Sequence, residues 1–236
     1  MIEVITFDLW NTIFNNRFYT DFRLNYFTQF LEKRQIAISF QEIKKAFDLA
    51  FYLPERNYEE NDHIYTEERI AKLLNILKID LTEPEKTIIK IKFEEAILKD
   101  PPSLKMGVKQ TLEELSSAYK LGLISNTGIT PGRIISRILQ EYEIFKYFRV
   151  KIYSDEIGYY KPHKIIFKTA LESLNCIPQN AIHIGDNLET DIKGAKDCNM
   201  YTIWFNENKY AKSEIIQPDY EIHEIYEVLQ VIQKLS

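Results

Sequence analysis

Glycine is missing from the start of this 236-residue chain: all seven glycines fall between Gly107 and Gly194. The tight strand–helix turns of an open α/β layer favour glycine. That architecture is therefore expected in the later part of the chain and something else before it. Cysteine is scarce. Cys176 and Cys198 lie far apart and form no CxxC pair, which excludes a disulfide framework and a cysteine zinc site. Buried thiols in a reducing cytoplasm are expected instead. No apolar run is long enough to span a bilayer, and Glu3 and Asp8 interrupt the start of the chain where a secretory signal would be continuous. A formal net charge of -5 gives no general attraction to nucleic acid or an anionic membrane, and neither is expected as a partner. The four histidines are not spaced as metal ligands; His163 and His183 flank other motifs, and structural roles are expected for them.

What is present divides in two. From about Asn15 to Asp100 apolar residues recur at helical spacing. Tyr19, Phe22, Tyr26, Phe27, Phe30 and Leu31 mark a first helix. Ser39 with Glu42 is a capping box opening a second, which runs through Ala46 and Phe47. Ile70, Leu73, Leu74 and Leu77 mark a third. Thr82 with Glu85 caps a fourth, with Ile89, Phe93, Ala96 and Ile97 on one face. Four such helices can bury their faces against one another as a bundle, and their aromatic stripes read as its core. Pro101-Pro102 ends it. Helix and strand then alternate: helix 106–118, strand 121–124, helix 131–141, strand 149–153, helix 163–174, strand 181–184, helix 190–198, strand 201–204, and a last helix over 223–235. With the apolar run Ile2-Glu3-Val4-Ile5-Thr6-Phe7 as a first strand, the pattern argues an α/β fold. It is a Rossmann-like parallel sheet with helices on both faces and the bundle inserted after the first strand.

The chemistry-bearing residues stand at the ends of these strands, where open α/β sheets place their ligands. Asp8 follows the first strand, with Trp10, Asn11 and Thr12 in the turn after it. Ser125-Asn126 follows Leu121-Gly122-Leu123-Ile124. Gly185-Asp186 and Asp191 follow Ala181-Ile182-His183-Ile184. Lys161-Pro162 stands between. An aspartate can be a nucleophile that forms a covalent intermediate. A hydroxyl with a strand-end N–H can bind an anionic oxygen. Three carboxylates form an oxygen-rich site for a hard cation.

This order of motifs over nearly the whole chain resembles the haloacid dehalogenase superfamily of hydrolases. The resemblance implies Asp8 as nucleophile, Thr12 orienting it by a hydrogen bond, and Ser125 and Asn126 binding the transferred group. It implies Lys161 as a fixed positive charge beside Asp8. Mg2+ would be held by Asp8, the carbonyl of Trp10 and Asp186, with Asp191 reaching it through water or anchoring its surroundings. It also implies a core domain of residues 1–14 plus 101–236 and a C1-type helical cap of residues 15–100. Arg17, Arg23, Arg56 and Arg69 are the cap's candidates for a substrate anion, Arg17 first because it lies closest in sequence to Asp8.

Two positions depart from the pattern. Phosphatases of the family carry a second aspartate two residues after the nucleophile, to protonate the leaving group; here it is Trp10, an aromatic as in the dehalogenases. Those dehalogenases, however, need no metal, lack an acid at the position of Asp186, and carry a tyrosine where this chain has Phe167. A further buried carboxylate needs a cation to balance it. The expected activity is therefore a Mg2+-dependent phosphatase acting on a small phosphorylated molecule through a phosphoryl-Asp8 intermediate, as a monomer or homodimer. The rivals are a metal-free 2-haloacid dehalogenase and a catalytically weak binding protein of the same fold.

Overall fold

The computed structural model describes residues 1–51, 62–211 and 213–235. The elements run β1 (Val4–Phe7), α1 (Thr20–Lys33), α2 (Phe40–Phe51), α3 (Thr66–Leu77), α4 (Glu83–Glu94), α5 (Val108–Ser116), β2 (Lys120–Ser125), α6 (Gly132–Glu141), β3 (Phe148–Tyr153), α7 (Ser154–Ile157), α8 (Lys164–Ser173), β4 (Ala181–Gly185), α9 (Lys193–Lys196), β5 (Tyr201–Phe205), β6 (Tyr220–Ile222) and α10 (Glu227–Leu235). Among the described residues the strands form one sheet in the order β3-β2-β1-β4-β5-β6. Every neighbouring pair is parallel.

All of Val4–Phe7 is buried, because helices cover both faces of the sheet. Ile5 and Phe7 join Leu112, Ile135 and Ile232 of α5, α6 and α10 in one core. Val4 joins Ile166, Ala170 and Ala195 of α8 and α9 in another. Alternation along the strand sends successive side chains to opposite faces. The chain winds from β1 outward through β2 to β3, then restarts on the other side at β4. The reversal between β1 and β4 opens a crevice at their carboxyl ends, where such sheets bind ligands.

Helices α1 to α4 bury a separate core, with Leu24, Phe27, Phe47, Leu73 and Phe93 at its centre. Phe93 meets Phe27 and Phe47 edge-on. Both capping boxes form: the Ser39 N–H bonds the Glu42 carboxylate at 3.1 Å, and the Thr82 N–H bonds Glu85 at 2.9 Å. The segments entering and leaving this bundle lie side by side. Asn15 N–H donates to Ser103 O at 3.0 Å, and Lys105 N–H to Ile13 O at 2.9 Å.

Four elements differ from the sequence expectation, the first being α7, a single turn after β3 that was not expected. The helix expected over 190–198 begins as a wide π turn, Leu188–Ile192, before α9. It widens where Asp191 folds back to accept the Asn187 N–H at 3.1 Å. The last helix starts later than expected, at Glu227, because the Glu227 carboxylate takes the N–H groups of His223 and Glu224. Strand β6, only three residues long, was not expected; it exists through its pairing with β5. Among the described residues no helix is long and apolar enough to cross a membrane.

Candidate active site

The register of the central strands decides which side chains meet. Phe7 lies opposite Leu123 of β2 and Ile184 of β4, and the Asp8 N–H continues the ladder to Ile184 O at 2.8 Å. Asp8 directly after Phe7, and Ser125 and Asp186 two residues beyond Leu123 and Ile184, therefore come together at one edge. Lys161 enters from the loop between α7 and α8, fully buried. Its three ammonium protons have three acceptors. Nζ donates to Asp8 Oδ1 at 2.5 Å, to Asp191 Oδ1 at 2.6 Å and to the Ile124 carbonyl at 2.9 Å. Asn126 clamps the Lys161 backbone from both sides: its Oδ1 accepts the Lys161 N–H at 2.7 Å, and its Nδ2 donates to the Lys161 carbonyl at 3.2 Å. The residue after Ser125 thus aims the lysine.

Asp8, Asp186 and Asp191 each bring a carboxylate oxygen within 4.8 Å of the others. Burial pushes the Asp8 carboxyl up to about 8; Lys161 opposes this, while Asp191 and Asp186 add to it. Burial and the charge of Asp191 push Asp186 up to about 6. Asp191 goes the other way. Burial would raise it, but Lys161 and the His183 hydrogen bond outweigh burial and hold it at about 2. Burial likewise works to lower Lys161, and Asp191 with Asp8 more than offset it, so the ammonium stays charged. Three carboxylates thus face one ammonium. Fully ionised, the cluster carries two unmatched negative charges, which is the charge of one divalent cation. The donor set is all oxygen, as a hard cation requires.

A family model for haloacid dehalogenase-like hydrolases matches residues 2–199. The chain belongs to that family. It is 36% identical over 131 residues to the glyceraldehyde 3-phosphate phosphatase of Pyrococcus furiosus, a match covering 55% of this chain and 53% of that protein. The chain spans about half the length of the curated relatives it matches. Two solved structures share the fold nearly end to end. A HAD phosphatase from Thermococcus onnurineus aligns with a TM-score of 0.73 at 24% identity, covering 98% of both chains. A 2-haloacid dehalogenase from Pseudomonas syringae aligns with a TM-score of 0.76 at 20% identity, covering 100% of both. At these identities the two show the fold alone, and they carry different chemistries on it.

Within this haloacid dehalogenase-like frame most of the expected residues gather at one edge, with two corrections. Thr12 does not hydrogen-bond Asp8. Its hydroxyl is buried without a partner among the described residues, and Asp8 Oδ1 is taken by Lys161. Arg17 was ranked first among the cap arginines, yet its guanidinium pairs with Asp100 at 2.5 Å and is half exposed. Closeness in sequence did not give depth: Arg23 and Arg69 are the buried ones. All three line a cavity of about 400 Å³ between the helices and the sheet, with Trp10 and Asn126 on its sheet side. Arg56 lies outside the described residues. Ser125 is buried, and its hydroxyl has only a long contact of 3.5 Å, to the Asn126 carbonyl. Trp10 is half-buried and its indole N–H donates to the Asn126 carbonyl at 3.2 Å.

His183 is the residue whose part the sequence did not reveal. Burial lowers its pKa, so the ring is neutral. Thr6 lies 2.9 Å from its Nδ1, and its Nε2 lies 3.3 Å from Asp191 Oδ1. The Asp191 contact requires Nε2 to donate, so the Thr6 hydroxyl donates to Nδ1. His183 thereby fixes the carboxylate that fixes Lys161. A polar residue inside the apolar run of β4 was the available signal. Phe167 stands edge-on to the imidazole at 5.2 Å. A Cβ at Gly185 would overlap the Asp191 carboxylate, so glycine is needed for that carboxylate to lie under the strand end.

Proposed function

We propose that this hydrolase is a divalent-cation-dependent phosphatase that cleaves a small phosphorylated molecule through a phosphoryl-Asp8 intermediate. The observation that carries the reading is Lys161, buried and shared between Asp8 and Asp191, in a cluster that when fully ionised has two negative charges to balance. Asp8, Asp186 and the Trp10 carbonyl would hold Mg2+, which when bound offsets charge on the nucleophile and on the phosphoryl oxygens. Asp191, with both oxygens already engaged by Lys161, His183 and the Asn187 N–H, acts as the anchor.

In the first step an Asp8 carboxylate oxygen bonds to phosphorus as the ester P–O bond breaks and its electron pair leaves with the alcohol oxygen. Lys161 works against the burial that favours the protonated Asp8, a bound cation would complete that balance, and the ammonium lies beside the charge of the transferred group. The Ser125 hydroxyl, with no strong partner of its own, binds a phosphoryl oxygen. The indole N–H of Trp10 is engaged and not acidic, so the leaving oxygen takes its proton from water or from the substrate. Water then attacks the phosphoryl group, freeing Asp8 and inorganic phosphate. Residues 15–100 serve as the cap over this edge, pivoting where Asn15 and Lys105 pair the two crossings. Cys176 and Cys198 are both free thiols, in keeping with a reducing cytoplasm.

Trp10 favours a second reading, in which Asp8 attacks the carbon bearing a halogen and halide leaves. Asp186 weighs against it, since a carboxylate there adds repulsion that a metal-free site has no means to offset. The test is hydrolysis of p-nitrophenyl phosphate with Mg2+ by the parent and by Asp8→Asn, with circular dichroism on both. Phosphate release that vanishes in folded Asp8→Asn, and in the parent with EDTA, is expected. Turnover by the folded variant would refute the nucleophile. Halide release from 2-chloropropionate in EDTA would establish the second reading.

A further inference from the structure

The charged residues described around the cavity beside the site are all arginines. Among the described residues lining it are Arg17, Arg23 and Arg69, and neither an aspartate nor a glutamate. Arg17 is already paired with Asp100 at the rim. Arg69 is different. It is 4% exposed, and its guanidinium donates to the Ile64 carbonyl at 3.3 Å, the Phe51 carbonyl at 2.9 Å and the Tyr160 hydroxyl at 3.3 Å. Those bonds hold the fork in place but bring no negative charge. Three donors are used out of the five a guanidinium carries, which leaves two N–H groups with no partner among the described residues. Arg23 is 6% exposed; it donates to the Phe93 carbonyl at 2.9 Å and to the Thr130 hydroxyl at 3.5 Å, among other contacts, and lies over the Tyr19 ring at 5.9 Å. Burying the Arg69 guanidinium is costly unless a counter-charge meets it, and its fixed planar fork suits a carboxylate or a phosphate.

The same cavity is lined by Trp10 and Asn126. Trp10 stands two residues after Asp8, and Asn126 follows Ser125 and clamps the Lys161 peptide, so the sheet side of the cavity is made by immediate neighbours of the candidate site. We infer that the substrate's leaving group carries a second anion, a carboxylate or a second phosphate, received by Arg69 with Arg23 beside it. This rests on the phosphatase reading and narrows it: a phosphoryl group at Asp8, a short linker, and an anion under the helices. The volume, about 400 Å³, suits a small molecule of that kind.

The test compares phosphate release from n-propyl phosphate, 2-carboxyethyl phosphate and propane-1,3-diyl bisphosphate, with p-nitrophenyl phosphate as a reference ester. The parent enzyme with Mg2+ should favour one of the two doubly anionic esters over propyl phosphate by tenfold or more in kcat/KM, chiefly through KM. Which of them is favoured identifies the second anion. Arg69→Met should lower that ratio at least tenfold, and Arg69→Lys should restore part of it; Arg23→Met serves as the second variant. Because the ratio is taken within one preparation, a fraction of unfolded protein cancels, and the parent's own preference tests the inference without any variant. Release of phosphate from the reference ester and from all three alkyl esters without preference would overturn the inference and leave the phosphatase reading standing. So would a preference unchanged in both Arg69→Met and Arg23→Met. No release from any ester, the reference included, would sink the phosphatase reading and the inference with it.

Discussion

Mg2+ should stabilise this protein by an amount that grows with pH between about 6 and 8. The cause is the competition at Asp8. In the metal-free fold, burial with the charges of Asp191 and Asp186 pushes the Asp8 carboxyl up to about 8, whereas an unfolded aspartate titrates near 4. Between these values the folded state binds a proton that the unfolded state does not. Metal-free stability from this group therefore falls as pH rises, and a cation must displace the proton to bind. Each pH unit in that window then adds up to about 1.4 kcal/mol to the binding free energy. Unfolding entropy near 2.1 cal/mol/K per residue gives roughly 0.5 kcal/mol/K for 236 residues. The Mg2+-induced rise in melting temperature should thus increase by roughly 3 °C per pH unit from about 6.5 to 7.5 and level off above about 8. At about a hundred times its Kd the ion contributes about 2.7 kcal/mol, a rise of roughly 5 °C. Asp186, raised to about 6, should steepen the dependence below that pH. His63 and His183 are both lowered by burial. They act in the opposite sense, adding stability as pH rises towards their unfolded pKa. They do so with and without the ion, so the difference between paired scans in Mg2+ and in EDTA removes their contribution. Asp186→Ala should abolish the increment, and Asp8→Asn should leave only the shallower dependence that Asp186 gives below about pH 7. An increment that stays flat from pH 6 to 8 in the parent protein would mean that Asp8 is already ionised there, and the electrostatic account of the cluster would fail.

Two further outcomes follow from single residues. With Trp10 in place of a proton donor, hydrolysis rates should depend steeply on leaving-group acidity. Trp10→Asp should flatten that dependence and raise activity on alkyl phosphates, general acid help being worth about a hundredfold to ten-thousandfold; a flat series in the parent would show that another group supplies the proton. Gly185→Ala should lower stability by about 1–3 kcal/mol, the usual range for overpacking, since the new methyl overlaps the Asp191 carboxylate. It should reduce activity as well, through the displaced anchor of Lys161, and a melting temperature within 1 °C of the parent's would refute that close approach.

Local signals in the chain determined the architecture and the residues that make up the candidate site. Apolar runs of strand length, helical periodicity before Pro101, the two capping boxes and glycines confined to the later chain are each legible within a few residues, because they report backbone preferences and the burial of one face. Asp8, Ser125, Lys161 and Asp186 were legible for the same reason. Each closes or follows a recognisable element, and their order along the chain carries the resemblance to the family. Tertiary structure alone decided what depends on register and depth. It placed Lys161 against both Asp8 and Asp191, gave Asn126 the task of clamping the lysine peptide, and made His183 the support of Asp191. It left the Thr12 hydroxyl without the bond expected of it. It also took Arg17 to the rim and Arg69 to the interior, although Arg69 is the more distant from Asp8 along the chain. Strand β6 and the π turn at Leu188–Ile192 belong to the same class. Their hydrogen-bond partners come from β5 and from the fold-back of Asp191, and a polar group's partner across space leaves no trace in its neighbours along the chain.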